Sequence, residues 1–218
     1  MTIITLCLKK NSKYIFPMLS FFLSIGLGVG CLRYTPDPYR YVRAGQDLNA
    51  TGQVMRSYYS QMSQINDLGT RMEGVPMRFF LAPGPYTFTL MPTFYRMRVV
   101  GTPQVKVELK ARQLLVVCSN LLEGKYISYT LSIEDYPKFD DDDFTGDNSC
   151  DMHYAIVFGK PFPQKFTQPS ESGNAVEIIP ELRDKTGKSI YELAVERKNY
   201  QAIQWIETKY PRVKPVRK

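Results

Sequence analysis

The sequence predicts a mainly β protein with an α-helical C-terminus: a small antiparallel β-sandwich or open barrel followed by a helical pair. Three observations carry this. Apolar and polar residues alternate with period two in several runs between residues 77 and 133. Gly and Pro punctuate those runs at turn spacing. After residue 187 the apolar spacing changes to that of helices.

Taken in order, residues 1–30 read as a secretory signal and stand outside the fold. Residues 31–50 read as a tether, with Pro36 and Pro38 and no apolar period. Residues 53–67 stay open between two states. Val54, Tyr58, Met62 and Ile65 fit helical spacing, whereas residues 60–65 alternate partly like a strand. The β-rich domain is placed at 51–165. Residues 77–81 form a strand that ends at the Ala82-Pro83-Gly84 turn. Tyr86-Thr87-Phe88-Thr89-Leu90 alternates threonine with apolar side chains and forms a second. Residues 95–100 and 105–109 follow. In the latter, Val105, Val107 and Leu109 face inward and Lys106 and Glu108 face water. Residues 114–118 are continuously apolar, as in a central strand. After Glu123-Gly124, residues 125–133 alternate again, with Tyr126 or Ile127 and Leu131 or Ile133 inward. Residues 153–158 are expected to close the sheet as a last strand.

Residues 166–218 hold the helical pair and a basic tail of Arg212, Lys214, Arg217 and Lys218. Two short helices are expected over 187–208, meeting near Lys198-Asn199. Ile190, Leu193, Ala194, Ile203, Trp205 and Ile206 supply their apolar face. Isolated helices this short do not persist in water, so the pair should dock on the β-domain with Trp205 largely buried.

The N-terminus carries the strongest functional pattern. Lys9, Lys10 and Lys13 precede an uncharged run over residues 14–30, which ends in Gly28-Val29-Gly30 and then Cys31. This order resembles a bacterial lipoprotein signal, with Leu27 one position upstream of the usual place. The resemblance implies a diacylglycerol-modified, acylated Cys31 at the start of the mature chain. Two or more acyl chains anchor stably where one does not. Leu32 follows the cysteine in place of the Asp that retains many such proteins at the inner membrane, so the expected site is the cell envelope at the outer membrane. An uncleaved anchor and a plain secretory signal are the alternatives. The uncharged run has 17 residues, short of the roughly 20 that span a bilayer.

Loss of residues 1–30 removes three lysines and no acid, lowering the formal net charge from +7 to +4. Such a mild, dispersed charge does not call for nucleic acid. In an exported chain Cys118 and Cys150 have one possible pairing. Whether they bridge, or Cys118 is a buried thiol, is open from sequence.

Two further resemblances rest on local motifs. Leu81-Ala82-Pro83-Gly84-Pro85-Tyr86-Thr87-Phe88 and Leu122-Glu123-Gly124-Lys125-Tyr126 are similar to the PEGA-type β-domains of bacterial surface proteins. The likeness covers about residues 65–134 and implies an interaction or envelope role. Asp184-Lys185-Thr186-Gly187, Leu193-Ala194, Asn199 and the apolar residues through Ile206 resemble one ankyrin repeat. A single repeat cannot bury its own face, so a helix pair packed on the β-domain is the favoured reading.

Candidate chemistry is sparse. Asp141, Asp143 and Asp147 around Gly146 imitate the start of a calcium loop. Met152 stands where the closing Glu belongs, which makes a solvated loop the favoured reading. Cys150, Asp151 and His153 contain a thiol, an acid and a base. Their spacing supplies neither pocket nor oxyanion donors. No Gly-rich phosphate loop or nucleophile elbow occurs, and no cofactor or metal is assigned. The expectation is a non-enzymatic, lipid-anchored bacterial envelope protein, structural or partner-binding. The alternative is an exported enzyme acting on peptide or glycan.

Overall fold

A computed structural model describes residues 48–66, 68–69, 77–91, 103–136, 145–168 and 175–213. The eight strands are β1 (Gly52–Arg56), β2 (Met62–Ile65), β3 (Leu68–Gly69), β4 (Arg78–Leu81), β5 (Gly84–Leu90), β6 (Gln104–Leu109), β7 (Leu114–Leu122) and β8 (Lys125–Ile133). Three helices follow, α1 (Gly146–Val157), α2 (Ile190–Glu196) and α3 (Tyr200–Lys209). The strands make two four-stranded sheets, ordered β4-β1-β7-β8 and β3-β2-β5-β6. We call them sheets A and B. The chain is thus mainly β with C-terminal helices, as the patterning predicts.

Between the sheets lies one core. Val54, Phe79, Leu115 and Val117 of sheet A meet Met62, Ile65, Phe88, Leu90 and Leu109 of sheet B. Phe79 and Phe88 touch edge to face, with centroids 6.4 Å apart. At Gly52 the β1 backbone lies directly against the end of β6. A Cβ there would sit 2.5 Å from the Leu109 side chain and 2.7 Å from the Lys110 carbonyl oxygen, so only glycine fits.

A second core lies on the opposite face of sheet A. Met55, Leu114, Val116, Cys118 and Leu131 pack there against α1, α2 and α3. From Leu114 to Ser119, β7 therefore has no solvent face. Leu115 and Val117 point into the sandwich, and Leu114, Val116 and Cys118 point into the helical layer. This is the physical reason for its unbroken apolar run. β8 divides likewise: Tyr126 borders the sandwich core, and Tyr129, Leu131 and Ile133 border the helices.

Three expectations are corrected. The β-domain is not wholly antiparallel, because β1 pairs with β7 in parallel, Val54 opposite Leu115. Residues 153–158 are not a strand. His153 lies within α1, whose buried residues Ser149, Cys150, His153 and Ile156 recur at helical spacing. Trp205 is half-buried rather than largely buried. The strand expected at 95–100 lies outside the described residues.

The helical pair follows local rules. Ser189 caps α2 in a capping box: its hydroxyl accepts from the Glu192 amide at 3.2 Å, and Glu192 accepts from the Ser189 amide at 2.7 Å. Asn199 caps α3 by accepting from the Ala202 amide at 3.1 Å. Ile190, Leu193, Ala194, Ala202 and Ile206 are buried in the core shared with sheet A. α1 supplies the neighbour that a lone ankyrin-like pair lacks.

Candidate functional site

The groups whose titration burial perturbs most meet where α1 crosses β7 and β8. Cys118 and Cys150 form a disulfide with Cα atoms 5.4 Å apart. Tyr129 sits opposite Cys118 in the β7–β8 register, and its hydroxyl donates to the Cys150 carbonyl at 2.9 Å. His153, one helical turn beyond Cys150, packs on the Tyr129 ring at 4.8 Å. It is 5% exposed, and neither ring nitrogen has a hydrogen-bond partner. Burial pushes the imidazole down to about 4, against an opposing pull from Asp184. Burial also raises the Tyr129 phenol, helped by Asp151 and Tyr154.

This cluster is sealed. The Cys150 sulfur is committed to Cys118, and Asp151 turns instead to Lys165 at 2.7 Å. The thiol, acid and base adjacent in sequence are therefore not brought together for nucleophilic chemistry. Cys150, through the disulfide, and His153, through its packing on Tyr129, fasten the helix to the sheet.

Asp147 lies in the first turn of α1 and accepts a hydrogen bond from the Tyr58 amide. Burial raises its carboxyl, against the Tyr58 hydrogen bond and the charges of Lys165 and Arg56. It acts as a tie to the segment after β1. Asp141 and Asp143, the other members of the calcium candidate, lie outside the described residues, as does Cys31. Among the described residues no three His, Cys, Asp or Glu side chains converge as a metal site. No described helix is long and apolar enough to cross a membrane.

Sequence reading missed a hydroxyl chain at one end of the sandwich. Ser57 and Ser60 share a hydrogen bond of 2.6 Å, and Ser60 donates to Ser119 at 2.8 Å. The Tyr126 hydroxyl lies 2.7 Å from Ser119 Oγ and 3.0 Å from the Tyr59 carbonyl. All three serines are buried, so the chain satisfies polar groups that would otherwise lack water.

The surface feature suited to binding lies on α3. Trp205 lines a groove of about 440 Å³ with Phe162, Gln201, Thr208 and Lys209. The Phe166 ring meets Trp205 edge-on at 5.0 Å, and Tyr210 lies 6.0 Å away. Lys209 Nζ sits 5.6 Å from the Trp205 centroid. A one-sided aromatic surface with a cation at its rim can hold an apolar or aromatic side chain of another molecule. A wider, polar recess of about 790 Å³ lies over sheet B, lined by Asn66, Thr87, Lys106 and Glu108 among others. Comparison of the chain with protein-family models, with curated proteins and with solved structures finds no match.

Proposed function

We propose that this chain is a non-enzymatic bacterial envelope protein, anchored by lipid on Cys31, that presents its helical layer to a partner. The observation that carries the reading is the buried Cys118–Cys150 bridge between β7 and α1. Disulfides persist in oxidising compartments, and the charged, apolar, small, Cys order at residues 9–31 resembles an export signal of the lipoprotein type. The two features are independent and agree on the compartment. His153 is buried and the Tyr129 hydroxyl is engaged by the Cys150 carbonyl, which supports a structural rather than catalytic use of the titratable core. The Trp205 groove supplies the partner-facing surface. Leu32 after the anchor favours the outer membrane.

Mass spectrometry of the mature protein from its native host tests this. The expected N-terminal peptide begins at an acylated Cys31. An intact peptide spanning Gly30-Cys31 with an unmodified thiol overturns it. Substituting Trp205→Ala is expected to leave envelope localisation unchanged and to weaken recovery of a cross-linked partner.

A further inference from the structure

One asparagine of the chain differs from the others. Of the seven in the sequence, Asn49 alone has a hydroxyl residue two positions on, in Asn49-Ala50-Thr51. Asn-x-Ser/Thr with x other than proline is the acceptor pattern for sugar transfer to a side-chain amide. Asn66, Asn120, Asn148 and Asn199 have Leu68, Leu122, Cys150 and Gln201 at that position. Asp47 stands two positions ahead of Asn49 in sequence, and its carboxylate can be held by a cationic subsite on a transferring enzyme. Whether so short a pattern can be used is decided by its place in the fold.

That place is the surface. Asn49 and Ala50 are both exposed, in the single turn Leu48–Ala50 that precedes β1. The chain is pinned just beyond it. The Thr51 carbonyl accepts from the Arg112 amide at 2.8 Å, and the Gln53 amide donates to the Gln113 carbonyl at 2.7 Å. Burial begins at Gly52 and Gln53. The acceptor therefore lies outside the buried part of the domain, where the expected tether passes into it, and a sugar there displaces no core side chain. Sugar transfer needs exposure rather than an unbonded amide, since a surface hydrogen bond exchanges readily with water.

We propose that Asn49 is an N-glycosylation site, filled after export. The donor is an oligosaccharide carried on a lipid pyrophosphate, and a separate envelope transferase brings it to this chain. Asn49 Nδ2 attacks the anomeric carbon of the first sugar. The bond from that carbon to the pyrophosphate oxygen breaks, and the lipid pyrophosphate leaves with the bonding pair. A carbon–nitrogen bond forms in its place, and Nδ2 gives up one proton to a base. No atom is oxidised or reduced. The buried Cys118–Cys150 bridge, which fits an oxidising compartment, is the independent observation that places the acceptor where such donors are used.

The inference rests on the exported part of the reading above, and the experiment separates the two. The full chain is isolated from cells of its native host and digested with trypsin. Cleavage after Arg43 and Arg56 releases residues 44–56. The expected peptide is heavier than its sequence by whole sugar residues, yields sugar ions on fragmentation, and carries the increment on Asn49. Thr51→Ser should retain the increment. Asn49→Gln should lose it while circular dichroism stays unchanged. An unmodified 44–56 peptide in a chain that begins at acylated Cys31 overturns this inference alone. The same peptide in a chain that still holds Gly30-Cys31 with an unmodified thiol overturns both. A sugar on Thr51, or one that survives Asn49→Gln, also overturns the inference.

Discussion

Tyr129 donates its hydroxyl to the Cys150 carbonyl, and the strand position opposite Tyr129 is Cys118, to which Cys150 is bonded. Sheet and helix are thus tied twice at one place, by a covalent bond and by a hydrogen bond from the adjacent strand. The ties close a loop whose ends are 32 residues apart in sequence.

Breaking the covalent tie should be costly. For a loop of this length the chain-entropy account gives about 3–4 kcal/mol. The double substitution Cys118→Ser, Cys150→Ser is expected to lower unfolding stability by that amount in denaturant titration. Reductant should lower the native protein to the same level and leave the double variant unmoved.

His153 should make the fold acid-sensitive. Its folded value lies below the ordinary 6.5, at about 4. The unfolded chain therefore binds the extra proton first, and stability falls as pH drops from about 6.5 to about 4. The full effect of such a shift is roughly 3 kcal/mol. Asp184, the charge facing His153 from the loop before α2, titrates lower. Burial works to raise its carboxyl, but bonds from the Thr186 hydroxyl and the Lys188 and Thr186 amides outweigh it. His153→Phe should flatten the melting temperature between pH 6.5 and 4. An unchanged pH profile in that variant would refute the assignment.

Gly52→Val should separate the sheets. Even a Cβ meets Leu109 and the Lys110 carbonyl, and overpacking of this kind costs about 1–3 kcal/mol or more. Thermal unfolding reads the loss. Pairing Gly52→Val with Leu109→Ala should recover part of it, because the smaller side chain vacates the space.

Truncation after Ile179 should expose the helix-facing side of sheet A. Ile190, Leu193, Ala194, Ala202 and Ile206, buried in the shared core, are all lost. The shortened chain is expected to aggregate or bind a hydrophobic dye. A soluble monomer of undiminished stability would show that the helical pair is dispensable.

Much of the sandwich was legible because a half-buried strand writes its faces into the sequence. Val105, Val107 and Leu109 alternate with Lys106 and Glu108, and the structure buries Leu109 and half-buries both valines. The helical pair after Asp184 was legible from the apolar spacing of Ile190, Leu193, Ala194, Ile203 and Ile206 about the junction at Lys198-Asn199, whereas the Ser189–Glu192 capping box, present in the sequence as a local signal, went unread. The parallel pairing of β1 and β7 was not, since Gly52–Arg56 is buried along its whole length and shows no alternation. α1 was obscured by its ends. The acidic residues before it read as a loop, and residues 153–158 are too few to display a helical period alone. The repeat of Ser149, Cys150, His153 and Ile156 was the available signal. The serine chain joins Ser60 to Ser119 across 59 positions, a proximity that no local pattern encodes.

A strand walled on both sides also acts as a parity check on its own reading. Slide β7 by one residue and Leu115 and Val117 trade places with Leu114, Val116 and Cys118, so both cores are miswritten together. Cys118 would then face the sandwich while Cys150 remains across the sheet. Oxidation of that pair therefore reports that the strand was threaded in phase, and a misthreaded chain would carry two free thiols that a thiol reagent counts.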